Sequence, residues 1–319
     1  MSKKINIPWI VFGAVAGAAF YLLLWWIFDC FACRAVDHLR NLIFLTGGIT
    51  AAMIAAWRAQ VADEQAKTAD EQAKTEREKA KVAEKTQITD RFARAIEQLN
   101  NDNIYMRIGA IQALERIGYD SEDDVMGVLR LLAGFVRDKS PWDNKGADII
   151  PSDAKEGFGV IVRLAGNYKE LLKKDKKSRL DLSATNLAPF PLITDGYFYR
   201  FDFGRSNITG GFLQSNFEWA SFFGADLTHT IFSNCNFRHA SFMQALLDSA
   251  RFYDADMSEA TLSLATCNNT DFSTAKNLTT EMLESIIYDA KTPPKVPKGI
   301  ILPPPTENKT VPGLLPSIA

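Results

Sequence analysis

The hydrophobic pattern changes period several times along the chain, and each change predicts a different kind of structure. From Pro8 to Phe28 the sequence PWIVFGAVAGAAFYLLLWWIF carries no charge. About 20 such residues in a helix cross a bilayer core of roughly 30 Å, so the run predicts a transmembrane helix. Trp9 near one end and Tyr21, Trp25 and Trp26 toward the other suit the interfacial aromatic belts of such helices. The competing reading is a cleaved signal peptide. Its apolar stretch is shorter, roughly 7–15 residues, and no small-x-small site follows at the right place. A second apolar run, Leu42 to Trp57, contains Gly47 and Gly48. Alone it fits a buried core helix; close behind the first span it reads as the returning half of a hairpin, residues 1–57, whose glycines let the two helices pack closely.

Beyond Trp57 the apolar run gives way to a heptad copy, ADEQAKT at Ala62–Thr68 and again at Ala69–Thr75, then EREKAKV. No Gly or Pro occurs from Val61 to Asn100, and Ala, Glu, Gln and Lys are strong helix formers. Asp63 with Lys67 and Asp70 with Lys74 are i,i+4 pairs of the stabilising order. The apolar stripe is alanine alone (Ala62, Ala66, Ala69, Ala73), too thin to drive strong pairing in water. Residues 58–86 are thus a helical stalk, either a solvated single helix or a self-associating one.

Over 87–178 the period becomes helical with one apolar face. Ile104, Ile108, Ile111 and Leu114 recur at helical spacing, as do Val125, Leu129, Leu132 and Val136. Gly118 is expected to close the first of these helices, and Ser121 with Asp124 to open the next in a capping-box-like start. The hairpin is similar to a single HEAT-type unit. Ser152 and Asp153, after Pro151, are expected to open a further helix through about Leu172, before the basic run KKDKK.

From Leu180 the period is five. Written from Ser215, the blocks are SNFEW, ASFFG, ADLTH, TIFSN, CNFRH, ASFMQ, ALLDS, ARFYD, ADMSE, ATLSL, ATCNN and TDFST. Each has a large or apolar centre, from Phe217 and Phe222 to Cys267 and Phe272, and a small residue two positions earlier, from Ser215 to Thr270. Five residues advance an α-helix by about 140°, and on a strand an odd spacing puts successive centres on opposite faces. Neither element buries them all. A coil that turns one corner per block does, since four blocks close a square with every centre inward, and stacked coils share main-chain hydrogen bonds at about 4.8 Å spacing. An earlier set, LDLSA, TNLAP, FPLIT and DGYFY, places centres at Leu182, Leu187, Leu192 and Tyr197. Phe203 and Ile208 are one position out of phase before Phe212 restores it. An irregular coil is expected there, near 198–212, with Pro189, Pro191, Gly210 and Gly211 supporting it.

The order small, Asp/Asn, Leu/Phe, then two freer residues resembles the pentapeptide-repeat family, which implies a right-handed quadrilateral β-helix over 179–275. The motif ITDRFARAIEQL, then ALERI and DSEDDVMGVL, followed by the fives, looks like bacterial membrane proteins that pair a two-helix anchor with such repeats. The tail from Ala275 looks like the ending common in that family, a short helix over the last coil. Within 276–319, Thr279 is expected to N-cap a helix through Tyr288 ahead of a proline-rich tail. An open β-helix end would otherwise expose unpaired backbone.

Composition narrows the chemistry. A net charge of -2 excludes a bulk electrostatic pull toward nucleic acid. The four cysteines make no disulfide framework. Cys235 and Cys267 occupy core slots, and Cys30 and Cys33 fall in the loop between the spans, as two small residues at a helix end or as a disulfide or metal pair. Lys3 and Lys4 before the first span and Arg58 after the second put both ends in the cytoplasm of a bacterial inner membrane. Of the three histidines, His38 lies by the membrane and His229 and His239 on outward positions, with no partners at ligand or triad spacing. Gly157-Phe158-Gly159 lacks the third glycine of a dinucleotide loop, and no phosphate-loop motif occurs. Glu122, Asp123 and Asp124 suit a helix start better than a cation.

No catalytic, cofactor or metal site is therefore expected. The leading function is a non-enzymatic, membrane-tethered protein-interaction scaffold, with outward Trp219, Phe223 and Tyr253 as the partner-binding surface. Its partners would be the lipid bilayer, an unidentified protein and a further copy of the chain through the hairpin or stalk. Two alternatives stand beside it. One is a membrane-perturbing effector in stress or phage defence. The other, implied by the resemblance, is topoisomerase inhibition by DNA mimicry, toward which the ten acidic against five basic residues of 179–274 count mildly.

Overall fold

The computed structural model describes residues 8–30, 36–142, 149–175 and 179–305. They fall into two compact units, one through Ala83 and one from Glu84. Helix α1 (Pro8–Cys30) begins the first unit, and α2 (Val36–Leu99) follows. The second apolar run, the heptad stretch and the first residues beyond it lie on one unbroken helix of 64 residues, α2. Nothing in its interior stops it: past Gly48 no Gly or Pro occurs before Asn100, and Thr46 and Thr50 turn their hydroxyls onto their own helix carbonyls. By length and composition α2 alone qualifies as a membrane-crossing helix among the described residues; the apolar part of α1 that qualifies as such is the shorter Ala16–Ile27. A Cβ at Gly17, Gly47 or Gly48 would meet nothing within 4 Å, so these glycines face open space instead of a packed helix. Trp9, Cys30, Cys33 and His38 lie outside the described side chains, as do Lys3 and Lys4.

In the second unit the last turns of α2 bury Ala95 and Leu99 in the same hydrophobic core as α3 (Ile104–Asp120), α4 (Val125–Lys139) and α5 (Ser152–Asn167). Asn103 caps α3, its side chain accepting from the Tyr105 amide at 2.9 Å. Gly118 does not close that helix. It lies within α3 where a Cβ would sit 2.9 Å from Leu164 Cδ1, so the missing side chain lets α5 approach. Ser121 donates to Asp124 at 2.7 Å, but Asp124, the N-cap of α4, makes no side-chain cap bond. Nor does Asp153 serve merely as first-turn charge: it is buried and paired with Arg107 at 2.6 Å, while Arg107 also donates to the Asn101 and Asp102 carbonyls. The helix expected to Leu172 stops at Asn167, and α6 (Lys169–Lys174) follows.

The β-helix repeats every four blocks. Asn216 pairs with Asn236 and Asn236 with Asp256, a step of twenty residues in parallel register. One face carries short strands β1 (Ile193–Thr194), β2 (Gly211–Leu213), β3 (Ile231–Ser233) and β4 (Arg251–Tyr253), hydrogen-bonded in that order. The centres form four inward columns. Three are phenylalanine ladders: Phe203–Phe222–Phe242, Phe212–Phe232–Phe252–Phe272 and Phe198–Phe217–Phe237, with successive stacked rings 4.7–5.4 Å apart. The fourth is aliphatic, Leu187, Ile208, Leu227 and Leu247, ending on Cys267. Every small residue two positions before a centre, from Ser215 to Thr270, is buried. The residue two positions after most centres, Trp219, His239 and Leu264 among them, has positive φ and makes the corner. The Asp or Asn before a centre accepts from the amide after it, as Asn216 does from Glu218 and Asp226 from Thr228. That bond explains the polar second position of the repeat.

The irregular coil begins earlier than the sequence suggests. Leu192 is 64% exposed and Ile193 is the inward residue, followed by Phe198 instead of Tyr197 as the centre of the next face. One surplus residue lies between Leu187 and Ile193, and the step from Ile208 to Phe212 is one short. Coil-to-coil pairing accordingly runs at 21 residues (Asp181 to Asp202), then 19 (Asp202 to Ser221), then 20. Gly210 and Gly211 make the short step possible. A Cβ at Gly210 would stand 2.7 Å from the Phe190 carbonyl oxygen, and one at Gly211 2.8 Å from Leu192 Cδ1.

Both ends of the β-helix are closed. At the first coil Phe158 of α5 packs edge-on to Phe190 at 4.7 Å and stacks over Phe198 at 6.3 Å, extending a ring ladder into the helices. Ser140 and Asn186 exchange hydrogen bonds, and the Trp142 amide donates to the Ala184 carbonyl. At the other end the expected helix from Thr279 to Tyr288 is a single 3-10 turn, Glu281–Leu283. The chain then runs on as an irregular coil, Ile287 pairing with Thr266 and Lys295 with Asp271. Backbone pairing closes the edge there more completely than a helix laid across it would.

Candidate interaction surface

The four outward faces differ in what they offer. In the column of Phe198, Phe217, Phe237 and Met257, the corner residues are Arg200, Trp219, His239 and Glu259. Trp219 stacks on His239 with centroids 4.0 Å apart. His239 Nδ1 lies 3.2 Å from the Glu259 carboxylate, and Arg238 reaches both, 3.5 Å from Glu259 and 3.3 Å from His239 Nε2. Trp219 is 40% exposed, yet its backbone is fixed by the corner and its ring by the stack. Such a side chain loses little rotamer freedom when a partner covers it.

Phe223, half-buried, follows the next centre on the adjacent face, beside exposed Met243 and Leu264. Tyr253, also half-buried, sits on the strand-bearing face at the end of β4. The face of Phe222 and the face of Phe252 lie two blocks apart in a four-block coil, so they are opposite sides of the square. The structure brings Trp219 and Phe223 to neighbouring positions and sends Tyr253 to the far side. The sequence reading placed His239 outward without partners and did not single out Arg238 or Glu259; the structure joins all three to Trp219. Their signal was a spacing of twenty, one coil, from Trp219 to His239 to Glu259.

Acidic groups are spread over all four faces, and many are engaged within the coil. Burial acts to raise the Asp256 carboxyl, but hydrogen bonds from Ser258 and Asn277 outweigh it and hold that group below its usual range. Asp271 behaves alike: bonds from Ser273 overcome its burial, aided by Lys295. Burial pushes the Cys235 thiol up to about 12 and the Cys267 thiol higher still. Both are free core thiols, protonated at neutral pH and unsuited to nucleophilic work. Among the described residues no cluster of His, Cys, Asp and Glu could hold a metal ion.

The pentapeptide-repeat family profile matches eight copies, at residues 212–238 and 240–276. No curated protein sequence matches the chain. Among solved structures, the pentapeptide repeat protein Rfr23 from the cyanobacterium Cyanothece 51142 is 15% identical, covering 43% of this chain and 99% of its own, with a TM-score of 0.29. HetL of Nostoc sp. strain PCC 7120, a pentapeptide repeat protein involved in heterocyst differentiation regulation, is 21% identical over 41% of this chain and 56% of its own, TM-score 0.21. QnrB1, a plasmid-mediated fluoroquinolone resistance protein, is 14% identical over 39% of this chain and 76% of its own, TM-score 0.24.

Proposed function

The chain is a member of the pentapeptide-repeat family, and we propose that it is a non-enzymatic scaffold, tethered to a bacterial inner membrane and presenting its β-helix to a protein partner in the cytoplasm. One observation carries the tether. No residue of the 18-residue apolar window of α2 is buried in the protein, and its Leu45, Met53 and Trp57 are exposed by 61–67%. Contiguous apolar surface on that scale marks an interaction or membrane site. The bilayer removes it from water, and Arg58 at the end of the window favours a cytoplasmic stalk. The partner surface is Trp219 with Phe223, on neighbouring positions of the rod; Tyr253 is a separate contact on the opposite side. The dispersal of acidic groups over four faces speaks against DNA mimicry, which needs a continuous negative stripe.

Membrane fractions washed with carbonate test the tether: the full chain stays in the pellet, and release into the supernatant overturns it. Affinity capture of the detergent-solubilised full chain, with Trp219→Ala as the paired control, tests the scaffold. A partner lost on that substitution supports it. Recovery of no partner by the parent chain, with membrane behaviour unchanged, sinks it.

A further inference from the structure

Starting at Gly48, alternating steps of four and three along α2 pass through Ala52, Ala55 and Ala59 and on to Ala83, meeting a small residue every time except at Glu76. This is a coiled-coil seam, with spacing of 3.5 residues. It runs without a break from the apolar window into the polar stalk. A line of small residues alone names no ligand, but two further observations do.

The first is a groove. An open surface cavity of about 560 Å³ on α2 is lined by Phe44, Leu45, Gly48, Ile49 and Ala52. In heptad terms Leu45, Gly48 and Ala52 are seam positions, while Phe44 and Ile49 are the residues flanking it. The groove has a small-residue floor and two large rims, the shape that receives a side-chain knob of a facing helix. The second is the charge pattern beside the seam in the stalk. In a parallel, in-register pair the residue before one seam position faces the residue after the seam position in the next heptad of the other chain. Gln65 then meets Asp70, Gln72 meets Arg77 and Lys79 meets Glu84. Lys79 with Glu84 joins opposite charges, the other two set an amide beside a charge, and none joins like charges.

The seam also stops where it should. The next positions, Gln87, Asp90 and Arg94, are polar or charged, and there α2 turns Ile88, Phe92, Ala95 and Leu99 into the core of its own second unit. We infer that the occupant of this face is a second copy of the same chain, paired in parallel through α2 from Gly48 to Ala83. Alanine pairs weakly in water, whereas small residues let helix backbones approach closely in lipid. Pairing thus starts in the membrane window and is carried into the stalk at the same close spacing. Glu76, salt-bridged within its own helix to Lys79 at 2.8 Å, interrupts the seam. The parallel sense rests on the tether proposed above, since two chains anchored in one membrane with the same orientation run in parallel.

The test uses the full chain in native membranes, with Cys30→Ser and Cys33→Ser; Cys235 and Cys267 are buried. Single cysteines are introduced at the seam (Ala66→Cys, Ala69→Cys) and on the far side (Glu64→Cys, Glu71→Cys) and treated with a short bismaleimide. Crosslinked dimer is expected to be at least five-fold greater at the seam positions. Equal yields, or no dimer, overturn the pairing. With Ala66→Cys as reporter, Lys79→Glu lowers the dimer several-fold and added Glu84→Lys restores it; absence of that rescue overturns the register. Carbonate extraction of the same samples keeps the two readings apart. Membrane-bound chain without seam-dependent dimer overturns the pairing and leaves the tether standing, whereas dimer in the soluble fraction overturns the tether and leaves the seam.

Discussion

The β-helix and the exposed part of α2 encode structure in opposite ways. In the β-helix every fifth residue is a large side chain with essentially no exposure, and each coil is held by its neighbours above and below. In α2 from Leu42 to Glu84 most side chains are exposed, and the helix rests on local propensity and short-range pairs such as Asp63 with Lys67. The first region is defined by what it buries within one chain. The second keeps its best-patterned face uncovered, which suits a surface completed from outside. A periodic sequence thus carries two kinds of instruction, and burial tells them apart.

Substitution should expose that contrast directly. The largest effect is expected for Phe237→Ala, which removes a ring stacked 5.1 Å from Phe217 and edge-on to Phe232 at 5.0 Å. A loss of about 3–5 kcal/mol in urea unfolding of the full chain is expected, against less than ~0.5 kcal/mol for Lys67→Ala in the stalk. Next comes Asp153→Ala, which takes the carboxylate away from the part-buried Arg107 guanidinium. Its cost should be about 3 kcal/mol, read in the same unfolding transition, and Asp153→Asn should cost less.

Acid gives a smaller and slower response. The folded Asp256 and Asp271 carboxyls lie below their ordinary range. Their contribution is therefore complete above the unfolded value of about 4 and is lost as pH falls through the folded values. The urea midpoint of the parent should drop below pH 4 more steeply than that of Asp256→Asn with Asp271→Asn; parallel curves would show that these bonds do not act on stability. The smallest effect should be a gain. Leu264 sits at a corner with φ of 60°, a conformation that disfavours a side chain. Leu264→Gly should raise stability by no more than about 1 kcal/mol, measured by thermal unfolding.

How far the sequence could be read depended on how local the deciding contact was. The period of five announced its coils because each block repeats the same demand: a buried centre, a small neighbour and an Asx bond to the backbone. Leu192 and Ile193 are adjacent and equally apolar, so nothing local says which turns inward; the surplus residue ahead of them decides it. Gly118 looked like a helix end because its true reason, Leu164 on another helix, is distant in the chain. Phe158 gave no sign in α5 that its ring belongs to a ladder that continues through Phe198. The outward placement of Trp219 and Phe223 was legible from their positions in the blocks. The ring beneath Trp219 was hidden by the habit of reading in fives when the stack repeats in twenties.

The surplus residue before Ile193 and the short step into Phe212 have a consequence for how such a rod can change. Between Leu187 and Phe212 the count slips by one and is corrected, and every later centre stays in phase. The centres between the surplus residue and its correction, Ile193, Phe198, Phe203 and Ile208, are all buried, so a single extra residue is taken up within one coil and the blocks beyond it still turn inward. Such a rod can therefore grow by whole coils, or gain one residue at a corner, because each block carries its own inward centre and does not inherit its facing from the block before it.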